Sequence, residues 1–172
     1  VVSILLFLLF SFFYIYRNEY FEDSKFLLLI GLLMYLIVFS SWIIVSYQLP
    51  VYIIPIAMFS ILLTVLLDTT VSLISSTILI LLVSLLIGND LDFAIIQFFI
   101  SFIAILSVRK LRKRRQIIAT MLTLVLCSLF VFFSVMLFKG IDFLDYNYST
   151  VGYLALSSFL CPILAFGLVP LF

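Results

Sequence analysis

Six cations crowd one short stretch of the chain: in VRKLRKRRQ, Val108 to Gln116, the residues Arg109, Lys110, Arg112, Lys113, Arg114 and Arg115 stand between two long apolar runs. Cations at this density can hold phosphate, either the headgroups of anionic lipids or a nucleotide, through charge-assisted hydrogen bonds. The plainer reading is a topology determinant. Short loops rich in Lys and Arg stay on the cytoplasmic side of a bilayer, and a run of charges does not itself supply the geometry of a phosphate site. Asp68, a lone carboxylate between apolar runs, also has two readings. Its oxygens can cap the free N–H groups that open the next helix, or it can relay protons as intramembrane acids do. Its place at the end of a run favours the cap. Cys127 and Cys161 lie deep inside apolar runs and read as reduced packing residues.

Other chemistry is missing from the sequence. The chain has no His, which removes the commonest metal ligand and general base. It has no Gly-rich phosphate loop, no metal-ligand spacing and no nucleophile beside a base. Ser and Thr inside the apolar runs are expected to bond back to their own helices. No run carries Lys, Arg, Glu or His in its middle, which argues against a proton relay or a charged substrate site at the membrane midplane.

The elements that must position these residues are membrane helices. Of 172 residues, 67% are hydrophobic and 10% charged, far from the balance of a soluble domain. The expected fold is all-α, a polytopic integral membrane protein with seven transmembrane helices forming one domain over 1–172. The spans run from Val1 to about Tyr16, Phe26 to Tyr47, Val51 to Leu67, Val71 to Ile87, Phe93 to Val108, Ile117 to Phe138 and Val151 to Phe172. Gln48 and Pro50 separate the second from the third, and Asp68 to Thr70 make a tight hairpin between the third and fourth. Ser72 and Ser76, one turn apart, offer small residues for close helix approach, and Gln97, one turn into the fifth span, can reach interfacial water or a neighbouring helix.

Counting crossings from the basic loop places the N-terminus outside and the C-terminus in the cytoplasm. The loops then assigned inside hold eight of the nine cations, while those outside hold Asp90, Asp92, Asp142 and Asp145 against Lys139 alone. The seventh span carries Pro162, Gly167 and Pro170, a hinge candidate and the only clear break expected in the bundle; a static kink is the alternative. The chain opens on Val1, directly in an apolar run, and is expected to be a fragment of a longer protein.

The order of residues PVYIIPIAMFSILLTVLLDTT, then SVRKLRKRRQII, then CPILAFGLVPLF resembles the membrane region of seven-transmembrane receptors with an intracellular HD hydrolase, bacterial proteins related to cyclic-di-AMP phosphodiesterases. The resemblance covers nearly the whole chain and contains no catalytic motif. It implies an extracellular domain before these spans and a cytoplasmic HD domain after them, both missing here, with a pair of divalent metals in that HD domain and no cofactor in this fragment. The implied function is a non-catalytic sensing and anchoring module that tethers and regulates a cytoplasmic cyclic-di-AMP phosphodiesterase in the bacterial cell membrane. Its partners would be the lipid bilayer and the protein's own extracellular and cytoplasmic domains, with a homodimer as one possible arrangement and no nucleic acid. The rival reading is a small-molecule permease or the substrate-binding membrane subunit of a transporter, which should show broken helices in paired halves.

Overall fold

The computed structural model describes residue 11 and residues 24–109, 115–140 and 148–169, and among them all regular structure is helical. Six α-helices follow in order: α1 (Ser24–Ser46), α2 (Ile56–Leu66), α3 (Thr69–Ile87), α4 (Leu91–Val108), α5 (Arg115–Lys139) and α6 (Tyr148–Leu168), with a 3-10 turn at Val51–Ile53 before α2. Their ends follow from local chemistry. Past α1, Gln48 takes a positive φ of 54°, and the amides of Gln48 and Leu49 reach back to the carbonyls of Val45 and Ile44. That closes the last turn before Pro50 blocks continuation. Gly88 at φ 109° ends α3 in the same manner, with Asn89 N–H on the Ser84 carbonyl at 2.9 Å; a left-handed residue here suits glycine, which has no Cβ to clash.

Five of these helices contain stretches long and apolar enough to cross a bilayer: Leu28–Ser46, Thr69–Ile87, Leu91–Val108, Ile118–Lys139 and Ser149–Leu168. The surfaces of α1 and α5 agree with a lipid solvent, since Leu28, Tyr35, Trp42, Ile118, Phe130 and Phe138 stand exposed on them. In water such surface would drive association, whereas in lipid it is the ordinary outer face and the helices are held by packing and polar contacts instead.

The short helix α2 is the centre of the bundle and touches α1, α3, α4 and α6. Ile56, Ala57, Phe59, Ser60, Ile61, Leu62 and Leu63 are all buried, so this helix is enclosed along most of its length, while Val65 near its end is exposed. At 11 residues it rises about 16 Å, roughly half the hydrocarbon thickness of a bilayer. The expectation of one uninterrupted span from Val51 to Leu67 is therefore corrected. Pro55 has no amide to donate and holds Ile54 in an extended conformation, φ −58° and ψ 120°, so the 3-10 turn cannot run on into α2. In the seventh segment α6 continues through Pro162 to Leu168. The first segment lies outside the described residues apart from Ser11.

Candidate functional site

The break before α2 gathers side chains from three other helices. Tyr52, on the 3-10 turn, lies between Phe93 at the start of α4 and Phe132 on α5, each ring centroid 5.9 Å from its own and the Phe132 contact edge to face. An aromatic ring held on two sides by rings in offset or edge geometry is fixed by packing and quadrupole together. From α6, Ser157 Oγ donates to the Ile53 carbonyl at 3.4 Å, a long bond to a backbone group that has left its helical register. Ser157 Oγ also lies 3.9 Å from Cys161 Sγ. The Cys161 thiol in turn faces the amides of Ala57 and Met58 in the first turn of α2, where the Met58 amide also bonds the Pro55 carbonyl at 3.2 Å.

Pro162 follows immediately, buried like Cys161 and Ala165. Its ring cannot supply the amide that would bond the Ser158 carbonyl one turn back. Thus two proline-marked segments, the one before Pro55 and the one before Pro162, meet at one level of the bundle, with the amides of Ile53, Ile54 and Ile56 bonded locally to the carbonyls of Pro50, Val51 and Ile54. A membrane permits such irregular backbone only where protein covers it. The arrangement joins α6 to the segment before α2 through a hydroxyl and a thiol. Among the described residues no cluster of His, Cys, Asp or Glu could hold a metal ion.

The sequence-chosen residues divide among several places. Arg109 is exposed and closes α4, its amide 3.0 Å from the Ile105 carbonyl, and Arg115 opens α5. Lys110, Arg112, Lys113 and Arg114 lie outside the described residues, as does Pro170. Asp68 stands at the N-cap of α3, where its carboxylate accepts from the Thr69 amide at 2.7 Å. Gly167 lies in the last turn of α6, exposed, and a Cβ built there would meet nothing within 4 Å.

Several residues have roles that the sequence did not reveal. The sequence offers Ser72 as a small residue for close helix approach, but its hydroxyl crosses to α2, donating to the Ser60 carbonyl at 2.6 Å while accepting from Thr64 Oγ1 at 2.9 Å. Ser40, Ser41, Thr77, Ser128 and Ser134 do bond within their own helices, whereas Ser72, Ser84, which donates to the Asp90 carbonyl at 2.8 Å, and Ser157 depart from the expected pattern. The partner positions of Ser72, eight and twelve residues away, sit across a hairpin whose turn only Asp68 announces. Gln97, expected to reach interfacial water or a neighbouring helix, is buried at 3% exposure. The hydroxyls of Ser75 and Ser101 are buried without a hydrogen-bond partner. At the opposite end of the bundle from Asp68, Asp90 caps α4 through the amides of Asp92 and Phe93, and Asp92 pairs with Lys139 at the end of α5.

Comparison with known families gives a match over residues 1–172 to the family described as 7TM receptor with intracellular HD hydrolase. No characterised protein and no solved structure matches the chain.

Proposed function

Since the chain belongs to the family of seven-transmembrane receptors with an intracellular HD hydrolase, we propose that it is the non-catalytic membrane module that tethers and regulates a cytoplasmic HD-type phosphodiesterase acting on cyclic di-AMP. The observation that carries the reading is the family match across the full 172 residues, joined to a charge pattern that puts eight of nine cations on one side. In this reading seven spans cross a bacterial cell membrane, Val1 faces outside and Phe172 faces the cytoplasm. The HD domain, with its pair of divalent metals, follows Phe172, and an extracellular domain precedes Val1.

The module works by position and movement. Helix α6 is the span that leads out toward the hydrolase, and Ser157 and Cys161 tie it to the broken third segment. A ligand or domain acting on the outer face changes the packing around Tyr52, and that change reaches the cytoplasm through α6 because both share one level of the bundle. Hinge-type transmission of this sort needs an element with two accessible arrangements, which interrupted helices supply.

The break at Pro55 is the one observation that favours the rival permease reading, because discontinuous helices also build transport sites. The second half of that signature is not found among the described residues, where α6 is continuous. The test is hydrolysis of cyclic di-AMP by the full-length protein in membrane vesicles. Inside-out vesicles should hydrolyse added substrate and sealed right-side-out vesicles should not. Uptake of substrate without hydrolysis would instead establish the permease.

A further inference from the structure

The break before α2 separates two backbone groups that an uninterrupted helix would join. In such a helix the Ala57 amide would donate to the Ile53 carbonyl, four residues back. Here the amides of Ile53, Ile54, Ile56 and Met58 bond the carbonyls of Pro50, Val51, Ile54 and Pro55, and among the described residues no backbone bond joins Ala57 to Ile53. Both groups are served from α6 instead. Ser157 Oγ donates to the Ile53 carbonyl at 3.4 Å, Cys161 Sγ faces the Ala57 amide, and the two side-chain atoms lie 3.9 Å apart. Ser157 and Cys161 are both buried and stand one turn apart on one face of α6. With the hydroxyl hydrogen committed to Ile53, the thiol donates to Ser157 Oγ and accepts from Ala57. A thiol and a hydroxyl thus relay the one helical hydrogen bond that the break removes.

We propose that the third segment exchanges between this clasped form and a continuous helix over Val51–Leu66, in which the Ala57 amide bonds the Ile53 carbonyl and α6 is released. The exchange leaves both backbone groups paired. The freed Ser157 hydroxyl turns back to the Tyr153 carbonyl of its own helix, as Ser41 does to Ile37 and Ser134 to Phe130. A long hydroxyl bond and a weak thiol donor are given up for one backbone bond, so neither form is favoured by a whole hydrogen bond. Pro55 does not forbid the continuous form. The chain already runs as helix through Pro162, and membrane helices carry proline where neighbours cover the freed carbonyl. The run Val51–Leu66 is apolar along its length. As one helix it would rise about 24 Å, nearer to the hydrocarbon thickness of about 30 Å than α2 alone. In the function proposed above, this exchange is the step that carries an outer event to α6 and the hydrolase. That consequence rests on that reading; the exchange itself does not.

Spin labels on genetically encoded keto side chains at Thr70 and Leu164, both exposed, report the distance from the start of α3 to α6 in the full-length protein in nanodiscs. Two distances are expected. The double variant S157A/C161A removes the clasp and should raise the ratio of released to clasped form at least about threefold, the equivalent of an interhelical hydrogen bond of about 0.6 kcal/mol. Pro55→Ala, on the third segment rather than on α6, favours the continuous helix and should move the same distance in the same direction. Hydrolysis of cyclic di-AMP is followed on the same samples. A distance that moves in both variants while turnover stays constant upholds the exchange and refutes its link to the hydrolase. A single distance, unmoved by either variant, would make the break a fixed feature and overturn the proposal. So would a distance that moves in S157A/C161A but not in Pro55→Ala, because α6 would then come loose without the helix closing.

Discussion

Single polar atoms fix the helical hairpins of this bundle. Asp68 holds the Thr69 amide at 2.7 Å and opens α3, so Asp68→Ala should cost about 1 kcal/mol, the usual value of an N-cap, without loss of insertion. Ser72 bridges α2 and α3, and interhelical hydrogen bonds in membranes average about 0.6 kcal/mol with a maximum near 1.7. Ser72→Ala should fall in that interval when unfolding is measured by titration in bicelles. A change below the error of the method would show that the Ser60 carbonyl finds another partner. The cap at Asp68 could be read from sequence because a carboxylate at the start of an apolar run has few other uses. The bridge at Ser72 could not, because a hydroxyl in a membrane helix can bond to its own turn or across to a neighbour, and only packing decides between the two.

At the scale of elements, the boundaries of five long helices lie within a few residues of their apolar runs, since nothing except Gly, Pro or charge stops such a run in lipid. The two prolines were harder to read. Pro55 ends a 3-10 turn and Pro162 rides inside α6, yet their immediate neighbours are equally apolar. Whether a freed carbonyl breaks the helix depends on what covers it, and that is a property of the neighbouring helices rather than of the local sequence. If α6 transmits movement, Pro162→Ala restores its missing hydrogen bond and should alter the turnover of the full-length hydrolase without preventing insertion. Gly167→Ala provides a second test free of steric conflict, because no atom lies within 4 Å of the added Cβ. It should strengthen the last turn by about 1 kcal/mol and shift activity in the same direction as Pro162→Ala. Unchanged turnover and unchanged signal response in both variants, with normal insertion, would make Pro162 a static feature.

For the molecule as a whole, composition alone established a helical membrane protein, and the family match adds association with an HD hydrolase. The centre of the bundle was not legible. A short helix buried from Ile56 to Leu63 is an apolar run like the lipid-facing ones, so an apolar run alone does not tell α2 from α5. Topology rests on charge, and each basic residue beside an anionic leaflet contributes about 1 kcal/mol. Replacing Arg109, Lys110, Arg112, Lys113, Arg114 and Arg115 with Gln should therefore scramble orientation before it affects any activity. Correct insertion with selective loss of anionic-lipid or nucleotide binding would mean that these residues form a specific phosphate site.

The account depends most on where the chain delivers its last helix, because a tether for a cytoplasmic hydrolase must end in the cytoplasm. A reporter active only in the cytoplasm, fused after Phe172 in one chain and at Asp145 in another, measures this directly. The account predicts an active fusion after Phe172 and a silent one at Asp145; the reverse pattern would contradict it.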